Sequence, residues 1–168
     1  MKKVLVLGCG GSGRSSFARQ IGQITGLKVY HLDIFFWKPG LITTPNEEWE
    51  AFINQIVYED EWIIDGNYTR TLDLRLKEAD TVIFFDMART RRMCRIIRRR
   101  FSYSPKIKTD IDEECREHLN SEFFKWVWNY NKNVKPIILK KLKGCSKDKE
   151  IIIFKKPSQV REYLAQYN

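Results

Sequence analysis

Short apolar runs alternate with amphipathic stretches along the whole chain. Between the apolar runs, apolar residues recur at helical spacing, and the last such stretch, Pro157–Tyr167, opens on proline. Strands that alternate with helices indicate an α/β fold, in which a five-stranded parallel sheet carries helices on both faces. The runs rich in branched apolar residues predict buried strands at Lys2–Leu7, Lys28–Leu32, Glu61–Asp65, Thr81–Asp86 and Glu150–Phe154.

Several of the predicted helices have defined starts and inner faces. Thr44, Pro45 and Glu47 predict a helix start with a threonine cap, proline at the first helical position and a capping box. From Arg89 a helix is expected to place Met93, Ile96 and Ile97 on its inner face. Helical spacing also runs from Leu119 to Val134, with Trp126 and Tyr130 on the packing face and Trp128 off it. Further helices are predicted at Ser15–Thr25, Thr71–Glu78 and from Pro136 to Gly144.

Composition narrows the class of protein. The 168 residues are 43% hydrophobic and 30% charged, as expected of one globular domain covering residues 1–168. No apolar run is long enough for a membrane span, and four cysteines without metal-site spacing fit a reducing cytoplasm. The net charge of +9 indicates an anionic partner such as a nucleotide or nucleic acid, and it does not choose between them.

The segment Gly8–Ser15 follows an apolar strand, precedes a helix and nearly matches the phosphate-loop pattern G-x-x-x-x-G-K-[ST]. Glycines let the backbone turn so that successive N–H groups point at phosphate oxygens, and the helix N-terminus adds positive charge. A glycine-rich turn with no ligand is the alternative. The candidate nucleotide-binding residues are Gly8, Gly10, Gly11, Ser12, Gly13, Arg14, Ser15 and Ser16.

Arg14 stands where the pattern has lysine. A guanidinium is planar and forked, whereas an ammonium is a compact point charge, so binding can survive while phosphoryl transfer suffers from altered positioning. We therefore leave catalytic competence open. Ser15 is a candidate Mg²⁺ ligand through its hydroxyl group.

Asp33 follows the second predicted strand in the segment His-Leu-Asp. A carboxylate at that edge of the sheet could accept a hydroxyl proton from a phosphate acceptor, and the alternative is an aspartate that caps a turn. His31 is expected to be a core or hydrogen-bonded residue. Phe36 and Trp37 either line an acceptor pocket or pack under the next helix.

Asp65 ends the third predicted strand, where an acid that organises Mg²⁺ would lie. Asp65, Asn67 and Arg70 are candidate substrate-binding residues, although Asp-Gly-Asn is also an ordinary turn sequence. Arg75 either pins an anionic substrate or lies on a solvated helix face.

The segment Arg89–Arg100 combines an apolar seam with many arginines and no acidic residue. Arg95 shares one helical stripe with Arg91 and Arg98 and an adjacent stripe with Arg92 and Arg99. Uncompensated positive charge at this density predicts an anion nearby, and nucleotide phosphate is favoured over nucleic acid.

Taken together, these segments resemble the adenylate-kinase-related family labelled DNA topology modulation proteins. The resemblance rests on LGCGGSGRSSFAR, VYHLDIFFWKPG, WIIDGNYTRTLDLRLKEADTVIFFD, the arginine helix and FFKWVWNY. It implies a P-loop NTPase fold with a short lid at about residues 98–112. It also implies that Arg70 binds a monophosphate, that Asp33 is the base, and that Arg95 with Arg98 or Arg99 contacts a triphosphate.

The sequence thus predicts an ATP-dependent phosphotransferase of nucleoside- or nucleotide-kinase type. ATP and Mg²⁺ would bind at Gly10–Ser16, with Asp33, Arg14 and Arg95 as catalytic residues and Ser15 and Asp65 at the metal. The phosphate acceptor is a small molecule. The alternative is a non-catalytic or weakly hydrolytic nucleotide-binding protein that contacts DNA through its basic face.

Overall fold

A computed structural model of the chain describes residues 1–38, 40, 42–101, 121–145 and 149–167. Five parallel strands form the main sheet in the order β2-β5-β1-β6-β7. This confirms the predicted five-stranded parallel sheet. The strands are β1 (Lys3–Gly8), β2 (Val29–His31), β5 (Trp62–Asp65), β6 (Thr81–Phe85) and β7 (Glu150–Phe154).

Two further strands of two residues each, β3 (Trp37–Lys38) and β4 (Ile42–Thr43), form a separate antiparallel pair that the sequence patterns did not predict. A 3₁₀ turn at Thr69–Thr71 precedes the fourth helix. The helices are α1 (Arg14–Thr25), α2 (Leu32–Phe36), α3 (Asn46–Val57), α4 (Leu72–Glu78), α5 (Arg89–Phe101), α6 (Ser121–Asn133), α7 (Lys135–Cys145) and α8 (Pro157–Ala165).

Both faces of the sheet are buried. Along β1, Leu5 and Leu7 point into one core, and Val4 and Val6 point into the other. Successive side chains of a strand point to opposite faces, so a strand covered on both sides reads as the continuous apolar run seen in the sequence.

Three details of the helix predictions are wrong. Pro45 occupies the N-cap position of α3 and no side chain caps that end. The Thr44 hydroxyl instead donates to the carbonyl of Phe35, 2.9 Å away, because the β3–β4 pair draws it back toward α2. Ile97 is exposed rather than on an inner face. Trp126 is partly exposed, but its ring packs against those of Phe123 and Tyr130, as predicted.

The part of the predicted lid beyond residue 101 lies outside the described residues, as do the polar stretch Ser102–Thr109, the candidate cap at Asp110 and Leu119. Within the described ranges, none of the helices has the length and apolar character that a membrane crossing requires.

Candidate functional site

The glycine loop connects β1 to α1 at the carboxyl end of the sheet. Gly11 and Gly13 have φ values of 74° and 94°, a left-handed conformation that side chains rarely adopt. A Cβ on Gly11 would lie 2.7 Å from the carbonyl oxygen of Arg92, and one on Gly13 would lie 2.7 Å from Nη1 of Arg95. Helix α1 begins directly at Arg14 without a side-chain cap, so its first N–H groups face the loop.

Asn67 anchors the start of this loop. Its Oδ1 accepts from the N–H of Gly8 at 3.0 Å, and its Nδ2 donates to the carbonyl of Gly8 at 2.8 Å. Both ends of the buried amide are therefore used by the loop backbone. The predicted substrate-binding residue holds the loop in place in this structure.

Arg14 does not extend freely toward the loop. Its Nη1 donates to the carbonyl of Gly8 at 3.0 Å, its Nη2 donates to Oδ2 of Asp33 at 3.1 Å, and its Nε is paired with Oδ1 of Asp65. The forked guanidinium joins two acidic side chains and the loop backbone at once, a geometry that one ammonium group cannot reproduce.

Asp65 is almost fully buried at the end of β5. Its Oδ2 lies 2.8 Å from Nδ1 of His31, and its Oδ1 is paired with Nε of Arg14. Burial alone would raise the pKa of Asp65, but Arg14, His31 and Ser15 together hold that pKa below its ordinary value. His31 is hydrogen-bonded, as the sequence predicted.

Asp33 lies in the first turn of α2, two residues after the end of β2 at His31. Leu32, which was predicted to end the strand, is instead the first residue of α2. Its Oδ2 accepts from Arg14, and its Oδ1 accepts from the hydroxyl of Tyr68 at 2.6 Å. Its side chain is 43% exposed, so solvent or a ligand can still reach the carboxylate. Asp33 is the accessible acid of the site, and Asp65 is the buried one.

The loop fits a bound phosphate group. The Ser12 hydroxyl is buried and has no hydrogen-bond partner among the described residues. A buried polar atom without a partner costs free energy, and a phosphate oxygen would supply the missing bond. Together with the bare helix N-terminus, Ser12 makes the loop suitable for the phosphates of a nucleotide.

A magnesium ion fits this chain less completely. Ser15 offers a hydroxyl oxygen of the kind that Mg²⁺ binds. Asp65 already contacts Arg14 through one oxygen and His31 through the other. Ser15 therefore suits direct ligation, whereas both carboxylate oxygens of Asp65 already have charged or hydrogen-bonding partners.

The arginine helix α5 crosses the loop. Nη1 of Arg95 donates to the carbonyl of Ser12 at 3.1 Å, and Arg98 is exposed. Arg92, expected on a phosphate-facing stripe, is instead buried; it donates to Oδ1 of Asn131 at 2.7 Å. The side chain of Arg99 lies outside the described residues.

A cavity of about 180 Å³ opens between the loop, α1 and α8. Its floor is apolar and includes Phe17, Phe85 and Val160, and its rim carries arginines from two helices. The remaining lining includes Ser12, Gly13, Ser16, Gln20, Arg95, Pro157 and Arg161. The predicted site residues Ser16 and Arg95 therefore share a cavity lined by apolar and basic side chains.

Arg70 and Arg75 have very different surroundings. Arg70 is 57% exposed, and its Nε pairs with Oε1 of Glu50 at 2.5 Å. Arg75 is fully buried and donates to backbone carbonyls, so the solvated-face interpretation of Arg75 is wrong. The sequence contained a signal for the burial of Arg75, because this residue lies three positions after Leu72 and next to Leu76, on the apolar face of α4.

The aromatic residues after Asp33 pack on one another. The ring of Phe36 lies 5.0 Å from Trp49, 4.6 Å from Tyr68 and 5.2 Å from Trp37, measured between centroids. Phe36 therefore packs against α3, which agrees with one of the two interpretations, and an acceptor pocket at these rings stays a prediction.

The fold is shared with solved small-molecule kinases. A shikimate kinase from Acinetobacter baumannii, in complex with shikimate, is 11% identical with a TM-score of 0.52, over 99% of this chain and 90% of that chain. A shikimate kinase from Bacteroides thetaiotaomicron is 10% identical with a TM-score of 0.53, over 97% and 94%. A gluconokinase from Sinorhizobium meliloti 1021 is 14% identical with a TM-score of 0.50, over 99% and 91%.

The chain has a P-loop kinase-like fold. Searches against family models and against curated proteins found no match. At these identities the solved structures establish the fold alone, and the chemistry of the candidate site has to be inferred from its own residues.

Proposed function

We propose that this P-loop kinase-like protein transfers the γ-phosphoryl group of ATP to a hydroxyl group of a small molecule. The observation that carries the proposal is the position of Asp33. This accessible carboxylate lies one hydrogen bond from Arg14, the residue that directly follows the glycine loop. An acid poised at the phosphate loop is what a kinase needs to accept the proton of its acceptor.

The proposed roles follow from the contacts described above. The loop and Ser12 hold the phosphates, and Arg95, which already contacts the loop, neutralises their charge. The acceptor oxygen bonds to the γ-phosphorus while the bond from phosphorus to the ADP oxygen breaks, and the hydroxyl proton passes to Asp33. Ser15 would be the protein ligand of a magnesium ion bound with the nucleotide, and that ion would supply positive charge for the phosphates.

The resemblance to the topology modulation family adds a lid to this proposal. The lid, at about residues 98–112, would close over the phosphates, and Arg98 or Arg99 would reach them. From the lining of the cavity we infer separately that the base of the nucleotide would lie beside Pro157 and Arg161, where apolar side chains suit an aromatic ring.

The test is acceptor-dependent formation of a phosphorylated product from ATP, over a panel of nucleosides, nucleotides, sugars and small alcohols. We expect Asp33→Asn to lower this turnover by about 100-fold or more while ATP affinity is kept. Asp60→Asn, which alters an exposed turn residue, is the matched control. No product from either the natural protein or Arg14→Lys would refute the proposal.

A second candidate is a nucleotide-binding protein that transfers no phosphate and contacts DNA. The observation in its favour is that the bonds of Arg14 reach Asp33, Asp65 and Gly8 rather than open toward the loop. Exposed arginines on α5, such as Arg91 and Arg98, would supply the contacts. DNA affinity falling steeply in a plot of log K against log salt would support this role, and no binding at moderate salt would exclude it.

A further inference from the structure

Tyr68 has the one positive φ among the described non-glycine residues, with φ 33° and ψ 75°. A bulky side chain rarely adopts this left-handed conformation, because its Cβ crowds the backbone. Such strain persists only where the surroundings fix the residue from several sides, and it concentrates at functional sites.

Arg75 is the group that fixes the backbone here. Its Nη1 donates to the carbonyl of Gly66 at 2.7 Å, and its Nη2 donates to the carbonyls of Asn67 and Tyr68, the latter at 2.8 Å. Its Nε donates to the carbonyl of Thr71 at 3.3 Å. One planar guanidinium with no solvent exposure thus sets three successive carbonyl directions and, with them, the φ of Tyr68.

With its backbone in this conformation, Tyr68 packs its phenol ring against α2. The ring lies 4.6 Å from Phe36 and 4.9 Å from Trp49, so rotation of the side chain is blocked on two sides. The hydroxyl donates to Oδ1 of Asp33 at 2.6 Å. An ionised carboxylate can only accept a hydrogen bond, so the phenol donates its proton to Asp33.

We propose that Tyr68, held by Arg75, is the positioning residue for Asp33; the inference rests on the proposed function. Asp33 sits on a five-residue helix, and its other contact, Arg14, also serves Asp65 and Gly8. Tyr68 fixes the plane of the carboxylate so that it stays aimed at the acceptor when phosphates compete for Arg14. Tyr68 acts through Asp33 and does not itself touch the acceptor.

The kinetic test compares Tyr68→Phe with Tyr58→Phe, which removes a hydroxyl from an exposed tyrosine. We expect Tyr68→Phe to lower kcat by about 10- to 100-fold, since misplacing a reacting group by about 1 Å costs on that order. KM for ATP should stay within about twofold, a split that general loosening of the fold would not give. Full kcat in Tyr68→Phe, equal to that of the control, would overturn the inference.

A spectroscopic test does not depend on turnover. A short phenol–carboxylate bond gives a slowly exchanging hydroxyl proton far downfield in the NMR spectrum. We expect this resonance in the natural protein and in Tyr58→Phe, its loss in Tyr68→Phe and an upfield move in Asp33→Asn. Its absence from the natural protein would overturn the inference. The resonance without any acceptor turnover would refute the proposed function while the contact between Tyr68 and Asp33 stands.

Discussion

Replacing the buried Arg75 by methionine tests how the site is built. Methionine matches the length of the aliphatic part of arginine and suits an apolar helix face, but it makes none of the four hydrogen bonds to backbone carbonyls. Arg75→Met therefore removes the connection between α4 and the turn from Gly66 to Tyr68 without changing any residue of that turn.

The expected loss of unfolding free energy in Arg75→Met follows from two opposing contributions of the guanidinium. Hydrogen bonds to a charged group contribute about 1.5–3 kcal/mol each, so four of them contribute about 6–12 kcal/mol. Against this, burial lowers the pKa of Arg75 to about 9, which at about 1.4 kcal/mol per pKa unit corresponds to a cost of about 5 kcal/mol. The difference, about 1–7 kcal/mol, centres near 4 kcal/mol. That is a large share of the usual stability of about 5–15 kcal/mol.

The assay is urea unfolding, followed by circular dichroism and by tryptophan fluorescence, with Arg70→Met as the matched control. Arg70 lies five residues earlier, is exposed and pairs with Glu50 at the surface, so its loss should cost less than about 1 kcal/mol. Arg75→Lys keeps the charge without the fork and should fall between the two.

Equal unfolding free energies for Arg75→Met and Arg70→Met would refute this reasoning. That result would mean that burial of the guanidinium cancels its four bonds. The strain at Tyr68 would then have to be supported by the aromatic packing around Phe36 and Trp49 alone.

Three further predictions address the loop. Asp65 has a lowered pKa, so its stabilising contribution is present above the ordinary carboxyl pKa near 4 and is lost as the pH falls through its folded value. Arg14→Met should therefore move acid unfolding to higher pH and cost about 3–5 kcal/mol at pH 7, whereas Arg14→Lys, which keeps the charge, should cause a smaller shift and a smaller loss; an unchanged acid midpoint in Arg14→Met would contradict this. Burial raises the pKa of Cys9 to about 11, so at pH 8 iodoacetamide should modify the exposed Cys94 and leave Cys9 intact in the folded protein, as mass spectrometry can check. Gly13→Ala should abolish ATP binding measured by calorimetry while the protein stays folded, because alanine is strained at φ 94°, and retained affinity would show that the loop is not the phosphate site.

The features that the sequence predicted correctly, the strands and the glycine loop, are determined by residues close together in the chain. The central strands appear as apolar runs because they are buried on both faces, and the loop is a continuous segment in which Gly8, Gly11 and Gly13 have positive φ. The five-residue helix α2 and the two-residue strands β3 and β4 are too short to show any period, so they were missed.

The sequence patterns could not predict which residues the long polar side chains contact. Arg70 and Arg75 both follow the Asp-Gly-Asn turn, and either could have faced a ligand. Which of them is buried depends on the packing of α4 under the sheet, a contact between residues far apart in the chain. Arg92 was missed for the same reason, since its partner Asn131 lies on α6.

The contacts of Arg14 give a structural reason for arginine at this position. A lysine could contact one of Asp33, Asp65 and Gly8 strongly, but it could not bridge all three, so Asp65 would lose part of what lowers its pKa. Under the proposed function, phosphate arriving at the loop would compete for the guanidinium, and the weaker competitor is Asp33, which is part-exposed and separately held by Tyr68. Exchange of that one bond would free Oδ2 of Asp33, while Arg14 would stay fixed on the buried Asp65. Nucleotide binding would then also release the proposed base, a coupling that a lysine at this position would not give.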